Sequence, residues 1–219
     1  MLCLILFLGS ILRYFIWPPV GPLATTAPAS SAFIEYRKEQ WKNAGESREP
    51  TMKWRNLSQI SPYLPLAVTI AEDDTFWDHS GFDFKGIREA IERNRSQGRL
   101  IAGGSTITQQ LAKNLWFSPE RSILRKIKEA IMAWRLEQTL EKKRILELYL
   151  NYAEWGNGIF GAEAAAITYF GKSASRLTPR EAAILAAMLP NPLQRSPRSA
   201  LVKRKANGIV RTMQRRGAL

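Results

Sequence analysis

The chain has 219 residues and is strongly basic, with 32 Lys/Arg against 19 Asp/Glu and a formal net charge of +13. Its single cysteine (Cys3) and single histidine (His79) exclude an intramolecular disulfide, a cysteine-based zinc or redox site and any multi-histidine metal site. Proton transfer must therefore rest mainly on carboxylates.

At the N-terminus, Leu2 to Trp17 (LCLILFLGSILRYFIW) is apolar apart from Ser10 and Arg13. A hydrocarbon core of ~30 Å takes roughly 20 helical residues. Residues 1–20 are expected to form one transmembrane anchor, with Arg13 snorkelling near its end and Trp17 at the interface. The competing reading is a cleaved signal peptide, with small residues at Ala27 and Ala29. Either reading exports the rest of the chain. The stretch PPVGPLATTAPASS (Pro18 to Ser31) has no core-forming pattern and places a linker over 21–32. The remaining domain is set at 33–219.

A short helix is expected over Phe33 to Lys42, then a polar loop from Asn43 to Lys53. Ile87 to Arg95 has helical composition. Thr106-x-x-Gln109 reads as a capping box opening a helix through Leu115. Ser118-Pro119 offers an N-cap and N1 pair for the next helix. There Ile123, Ile127, Ile131 and Trp134 form an apolar stripe, while Arg121, Arg125 and Glu129 share a polar face. Lys142 to Leu150 and Glu163 to Phe170 are helical, the latter closed by Gly171. Thr178-Pro179-Arg180-Glu181 is a strong helix start, and that helix must stop before Pro190. Val202, Ala206, Ile209 and Met213 give the last helix an apolar side. Strand signals are sparse, so the domain is expected to be mainly α.

The charge is uneven. Lys113 to Arg144 carries nine Lys/Arg against four Glu, and Arg195 to Leu219 eight Lys/Arg with no acid. Such basicity suits a polyanion: nucleic acid, anionic headgroups or a phosphorylated substrate. Against this background EDDTFWDHSGFD (Glu72 to Asp83) gathers acids, the lone His79 and the aromatics Phe76 and Trp77. A carboxylate among aromatics is partly desolvated, which raises its pKa and suits it to proton transfer.

That block is followed by GGSTITQQLAKNL (Gly103 to Leu115), RKIKE (Arg125 to Glu129), KKRILELYLN (Lys142 to Asn151) and REAAILAAMLPNP (Arg180 to Pro192). Five blocks in this order resemble the peptidoglycan glycosyltransferases, over about Ser58 to Pro192. No S-x-x-K or K-T-G occurs, so the chain resembles the stand-alone, monofunctional branch rather than the class A penicillin-binding proteins. The resemblance implies a lysozyme-like bilobal domain, with a larger globular lobe and a small membrane-proximal lobe, behind one N-terminal transmembrane helix.

It also implies a reaction. A lipid-linked growing glycan is transferred with inversion onto a sugar hydroxyl of lipid II, and undecaprenyl pyrophosphate leaves. By resemblance Glu72 is the base and Glu129 the second essential carboxylate. Gln109, Gln110, Lys113, Arg121, Arg125 and Lys126 bind the donor. Asp73, Phe76, His79, Gly104, Ser105 and Thr106 shape the site, with His79 most simply a packed, hydrogen-bonded imidazole. In the second block Thr106, Gln109, Gln110 and Lys113 fall on one helix face, and Ile107, Leu111 and Leu115 on the other.

A divalent cation, magnesium or manganese, is compatible with the diphosphate, although no cage for one is visible and no organic cofactor is implied. The implied partners are lipid II, the lipid-linked strand, the membrane and other cell-wall synthesis and division proteins, with no nucleic acid. The implied location is the bacterial cytoplasmic (inner) membrane, single-pass, with the catalytic domain on the outer, periplasmic side. Leu115, Trp116 and Phe117 either dip into the bilayer or form a buried apolar group. The alternative activity is a muramidase or lytic transglycosylase that cleaves glycan.

Overall fold

A computed structural model describes residues 9–96, 104–120 and 122–219, without the side chains of Arg93 and Asn94. Gly103 and Arg121, and the first part of the expected anchor, lie outside the described residues.

The chain is mainly helical: α1 (Ala32–Asn43), α2 (Tyr63–Glu72), α3 (Phe84–Ser96), α4 (Ile107–Trp116), α5 (Ile123–Thr139), α6 (Lys142–Tyr152), α7 (Ala162–Phe170), α8 (Pro179–Met188) and α9 (Ala200–Arg215). The helix starts follow local chemistry. Ser31, Thr106, Ser122, Thr178 and Ser199 each accept a backbone N–H from the first turn. At Thr178 the box is complete: Glu181 accepts back from the Thr178 N–H, and Pro179 sits at N1. Gly171 ends α7 at φ 65°, the left-handed conformation that suits glycine.

Two helix clusters carry the cleft. α8 packs against both α2 and α9, and α4 packs on α1, α5 and α6. Leu64, Val68, Phe76, Ile107, Leu111, Met132, Leu136, Ile145 and Leu146 are fully buried at their contacts. Each such side chain contributes roughly 1.5–3 kcal/mol of transfer free energy. Val202, Ala206, Ile209 and Met213 are all buried, as the apolar side of α9 predicts. A small sheet in the order β1 (Thr51–Met52), β3 (Ile159–Phe160), β2 (Glu154–Gly156) closes one edge, β1 parallel and β2 antiparallel to β3. Its first strand falls within the stretch expected to be a loop.

Three further expectations change. The third block's helix starts after Ser122, whose hydroxyl accepts from the Arg125 N–H, and not at Ser118-Pro119. The apolar stripe on that helix is largely at the surface: Ile123, Ile127 and Trp134 are exposed, Ile131 is buried, and Glu129 on the supposed polar face is 2% exposed. The stretch read as a linker is laid down on the domain. Val20 and Leu23 join the core, the Leu23 carbonyl accepts from Arg144 Nε at 2.7 Å, and the Pro28 carbonyl accepts from the Tyr152 hydroxyl.

Ahead of it, residues 9–12 are helical and Arg13–Phe15 form a 3-10 turn. Tyr14 is buried with its ring 5.4 Å from that of Phe117. Leu115 and Phe117 are buried too, which selects the packed reading of that group. Among the described residues no helix is long and apolar enough to cross a membrane.

Candidate active site

A cleft of ≈ 1210 Å³ runs between the end of α2, the polar face of α4, the start of α5 and the segment joining α8 to α9. Glu72 is the last residue of α2, where the backbone dipole presents its negative end. Its Oε2 accepts from Gln110 Nε2 at 2.8 Å. Its Oε1 is shielded from solvent and has no partner. Burial pushes the carboxyl above its ordinary range. The Gln110 hydrogen bond and the charges of Arg195, Lys113 and Lys205 oppose that without cancelling it. A carboxyl with one fixed and one unshared oxygen is suited to exchanging a proton with a hydroxyl brought against it.

The rest of the first block holds Glu72 in place. Asp73, next in sequence, accepts the Ile107 N–H on Oδ2 at 2.9 Å, so the end of α2 is tied to the start of α4. Its Oδ1 meets His79 Nε2 at 2.9 Å, while His79 Nδ1 accepts from the Gly81 N–H at 3.1 Å. That pairing assigns the proton to Nε2, so His79 donates to Asp73. Thr106 donates to the Gly81 carbonyl at 2.8 Å and accepts from the Gln109 N–H. Phe76 is fully buried, edge-on to Trp77 and His79, with Lys142 Nζ 4.4 Å from its ring centroid. Gly104 serves close approach: a Cβ there would lie 3.1 Å from Ile87 Cγ1 and 3.3 Å from Ile87 Cα.

Positive charge collects along α4 and the start of α5. Lys113, on α4, lies 5.4 Å from the Phe33 ring centroid. Burial pushes its ammonium below the ordinary lysine range; Glu129 and Glu72 counter this, and Arg125 and Lys126 add to it. Glu129 is hydrogen-bonded by Arg125, and Lys126 Nζ is 3.4 Å from its other oxygen. Lys126 also donates to Ser105 Oγ at 2.8 Å and to Gln109 Oε1 at 3.4 Å. Gln109 is thus turned towards α5 and does not close the expected box with Thr106. Glu129 acts here as a buried anchor that fixes two cations on one side of the cleft.

Against known proteins, the Transglycosylase family profile matches residues 38–214. The chain belongs to the transglycosylase family. It is 53% identical over 165 residues to the biosynthetic peptidoglycan transglycosylase of Aromatoleum aromaticum, covering 75% of this chain and 72% of that protein. Identity to the protein of the same name from Alcanivorax borkumensis is 50% over 186 residues, 85% of this chain and 69% of the relative. For Methylobacillus flagellatus it is 47% over 184 residues, 84% and 78%. This transglycosylase is therefore a glycosyltransferase of peptidoglycan synthesis.

Of the sequence-derived residues, Glu72, Asp73, Gly104, Ser105, Thr106, Gln109, Gln110, Lys113, Arg125, Lys126 and Glu129 all line the transglycosylase cleft. Phe76 and His79 stand behind it as supports. Asn151, the last residue of the fourth block, is fully buried and clamps the backbone of Arg55 through its N–H and carbonyl. Glu154 lines the cleft, paired with Arg37 through both oxygens at 2.8 and 2.9 Å. Sequence reasoning missed Tyr149, Arg195 and Lys205, which also line it. Tyr149 sits among the apolar residues of the fourth block, and the other two in a basic tail read as suited to a polyanion without any single residue being placed in the site.

Proposed function

We propose that this transglycosylase polymerises glycan strands from lipid II. The acceptor's sugar hydroxyl gives its proton to Glu72 as its oxygen bonds to the anomeric carbon of the lipid-linked donor. The bond from that carbon to the phosphate oxygen breaks, and its electron pair leaves with undecaprenyl pyrophosphate. Lys113, Arg125 and Lys126 stabilise the charge that develops there, Gln109 steadies Lys126, and Glu129 orients the two α5 cations. Arg121 is assigned to the same end by resemblance. The observation that carries the reading is one partnerless, desolvated carboxyl oxygen sharing a cleft with Lys113, Arg125 and Lys126.

The residues do not fit a preformed cation cage. Both Glu129 oxygens are engaged by side-chain cations, and among the described residues no cluster of three or more His, Cys, Asp or Glu could hold a metal ion. A glycan-cleaving enzyme acts on a strand without diphosphate and has no use for this cationic end, which favours synthesis. The bilayer-facing side is assigned to the exposed apolar residues Leu12, Ile16, Trp17, Ile123 and Trp134, with the domain outside the cytoplasmic membrane. The reading includes no cross-linking step.

The test is incubation of purified protein with lipid II in detergent and, separately, with purified glycan strands. Polymer is expected from the first and no breakdown of the second. Glu72→Gln is expected to abolish polymerisation while lipid II still binds. Turnover by that variant near the wild-type rate would remove Glu72 as the base.

A further inference from the structure

Tyr149 is nearly fully buried on α6, yet its hydroxyl reaches the cleft and donates to Gln110 Oε1 at 3.0 Å. Gln110 in turn donates from Nε2 to Glu72. We propose that Tyr149 is a positioning residue for glycosyl transfer: its hydroxyl fixes the Gln110 amide so that the NH₂ grips Glu72 Oε2 and Oε1 stays unshared. This rests on the reading of Glu72 as the base.

The direction of the chain is set at its buried end. Burial holds the Tyr149 phenol well above its ordinary pKa, and the charges of Glu72 and Asp73 push the same way, so it remains an O–H donor. The terminal torsion of a glutamine is broad and nearly two-fold. Without an anchor the amide can turn its carbonyl towards the carboxylate, which removes a hydrogen bond and adds repulsion. The hydroxyl, by donating to Gln110 Oε1, disfavours that state.

Tyr149→Phe keeps the packed ring and deletes only the anchor. The charged groups facing Glu72 all stay in place: Lys113 from α4, Arg195 from the α8–α9 segment, Lys205 from α9 and the adjoining Asp73. What changes is the donor that helps ionise Glu72, so the base becomes harder to deprotonate.

The experiment is the pH profile of lipid II polymerisation by the full chain, for wild type, Tyr149→Phe and Gln110→Ala, their double variant, and Glu72→Gln. Tyr149→Phe is expected to move the acid limb of kcat up by roughly half to one pH unit. At low pH that is about a 3–10-fold loss, closing towards wild type as pH rises, with KM nearly unchanged. The double variant is expected to be no worse than Gln110→Ala alone. A uniform loss at every pH with an unmoved limb, no loss at all, or losses that multiply in the double variant would each overturn the proposal. Activity in Glu72→Gln would instead overturn the base assignment, which is a separate result.

Discussion

Glu72 and Lys113 are displaced from their ordinary ionisation in opposite senses by the same cause. Burial raises the carboxyl and lowers the ammonium, and each partly relieves the other. In the proposed mechanism, transfer needs Glu72 deprotonated and Lys113 charged. The rate is therefore expected to rise as pH passes the first group and fall as it passes the second, below the usual lysine value of about 10.4. Lys113→Arg is expected to move the alkaline limb upward, because a guanidinium does not titrate there. Lys113→Ala is expected to cost ~10²–10³ in kcat, the usual scale for one charge-stabilising donor. A pH–rate profile of the two variants checks both. The raised Glu72 also has a stability sign. A carboxyl whose folded pKa lies above its unfolded value favours folding only at low pH, and that contribution is lost as pH rises through the folded pKa. Glu72→Gln is thus expected to unfold at neutral pH no earlier than wild type.

Helices were legible from their ends and periods, and less so from their facing. The Thr178 box and the Gly171 stop are local hydrogen-bond chemistry, so four residues suffice to read each. α5 shows the limit. Its Ile123, Ile127, Ile131 and Trp134 spacing is sound, but a period does not say which side meets protein, and here most of it points outward. The buried side instead carries Glu129, made tolerable by Arg125 and Lys126. Residues from separate helices meet at Asp73 only because the fold brings α2's end to α4's start, and no spacing reveals that. Asp73→Ala leaves the buried Ile107 N–H and His79 Nε2 without their acceptor. It is expected to cost about 1–3 kcal/mol and to slow turnover, because Glu72 and Gln110 are then no longer held face to face. Urea unfolding and polymerisation rate measure the two losses.

Across the whole molecule, the far edge is pinned by Glu163, which is 1% exposed. It accepts from Arg55 at 2.8 Å, from the Ala174 N–H at 2.8 Å and from Ser173 at 3.0 Å. Burial pushes its carboxyl up, but these donors outweigh it and lower the pKa from 4.5 to about 2. A depressed carboxylate contributes stability in full above its unfolded pKa and loses it as pH falls towards 2. The contribution at neutral pH is about 3 kcal/mol. Glu163→Gln is expected to remove most of it and to flatten the acid side of the stability profile, as thermal melts between pH 2 and 7 would show. The core and the cleft's five blocks could be read in advance. The path of residues 13–31 could not: a few scattered side chains, Tyr14, Val20 and Leu23, enter the core, and the polar contacts run through backbone carbonyls, which every sequence has. Arg135 makes the point: its guanidinium gathers the carbonyls of Tyr14, Ile16 and Pro18 at 2.8–3.0 Å. It stands on α5, about three turns beyond Arg125 and nearer two beyond Glu129. That clasp couples residues 14–18 to the same rod that holds Arg125, Lys126 and Glu129, so a displacement of one is passed to the other.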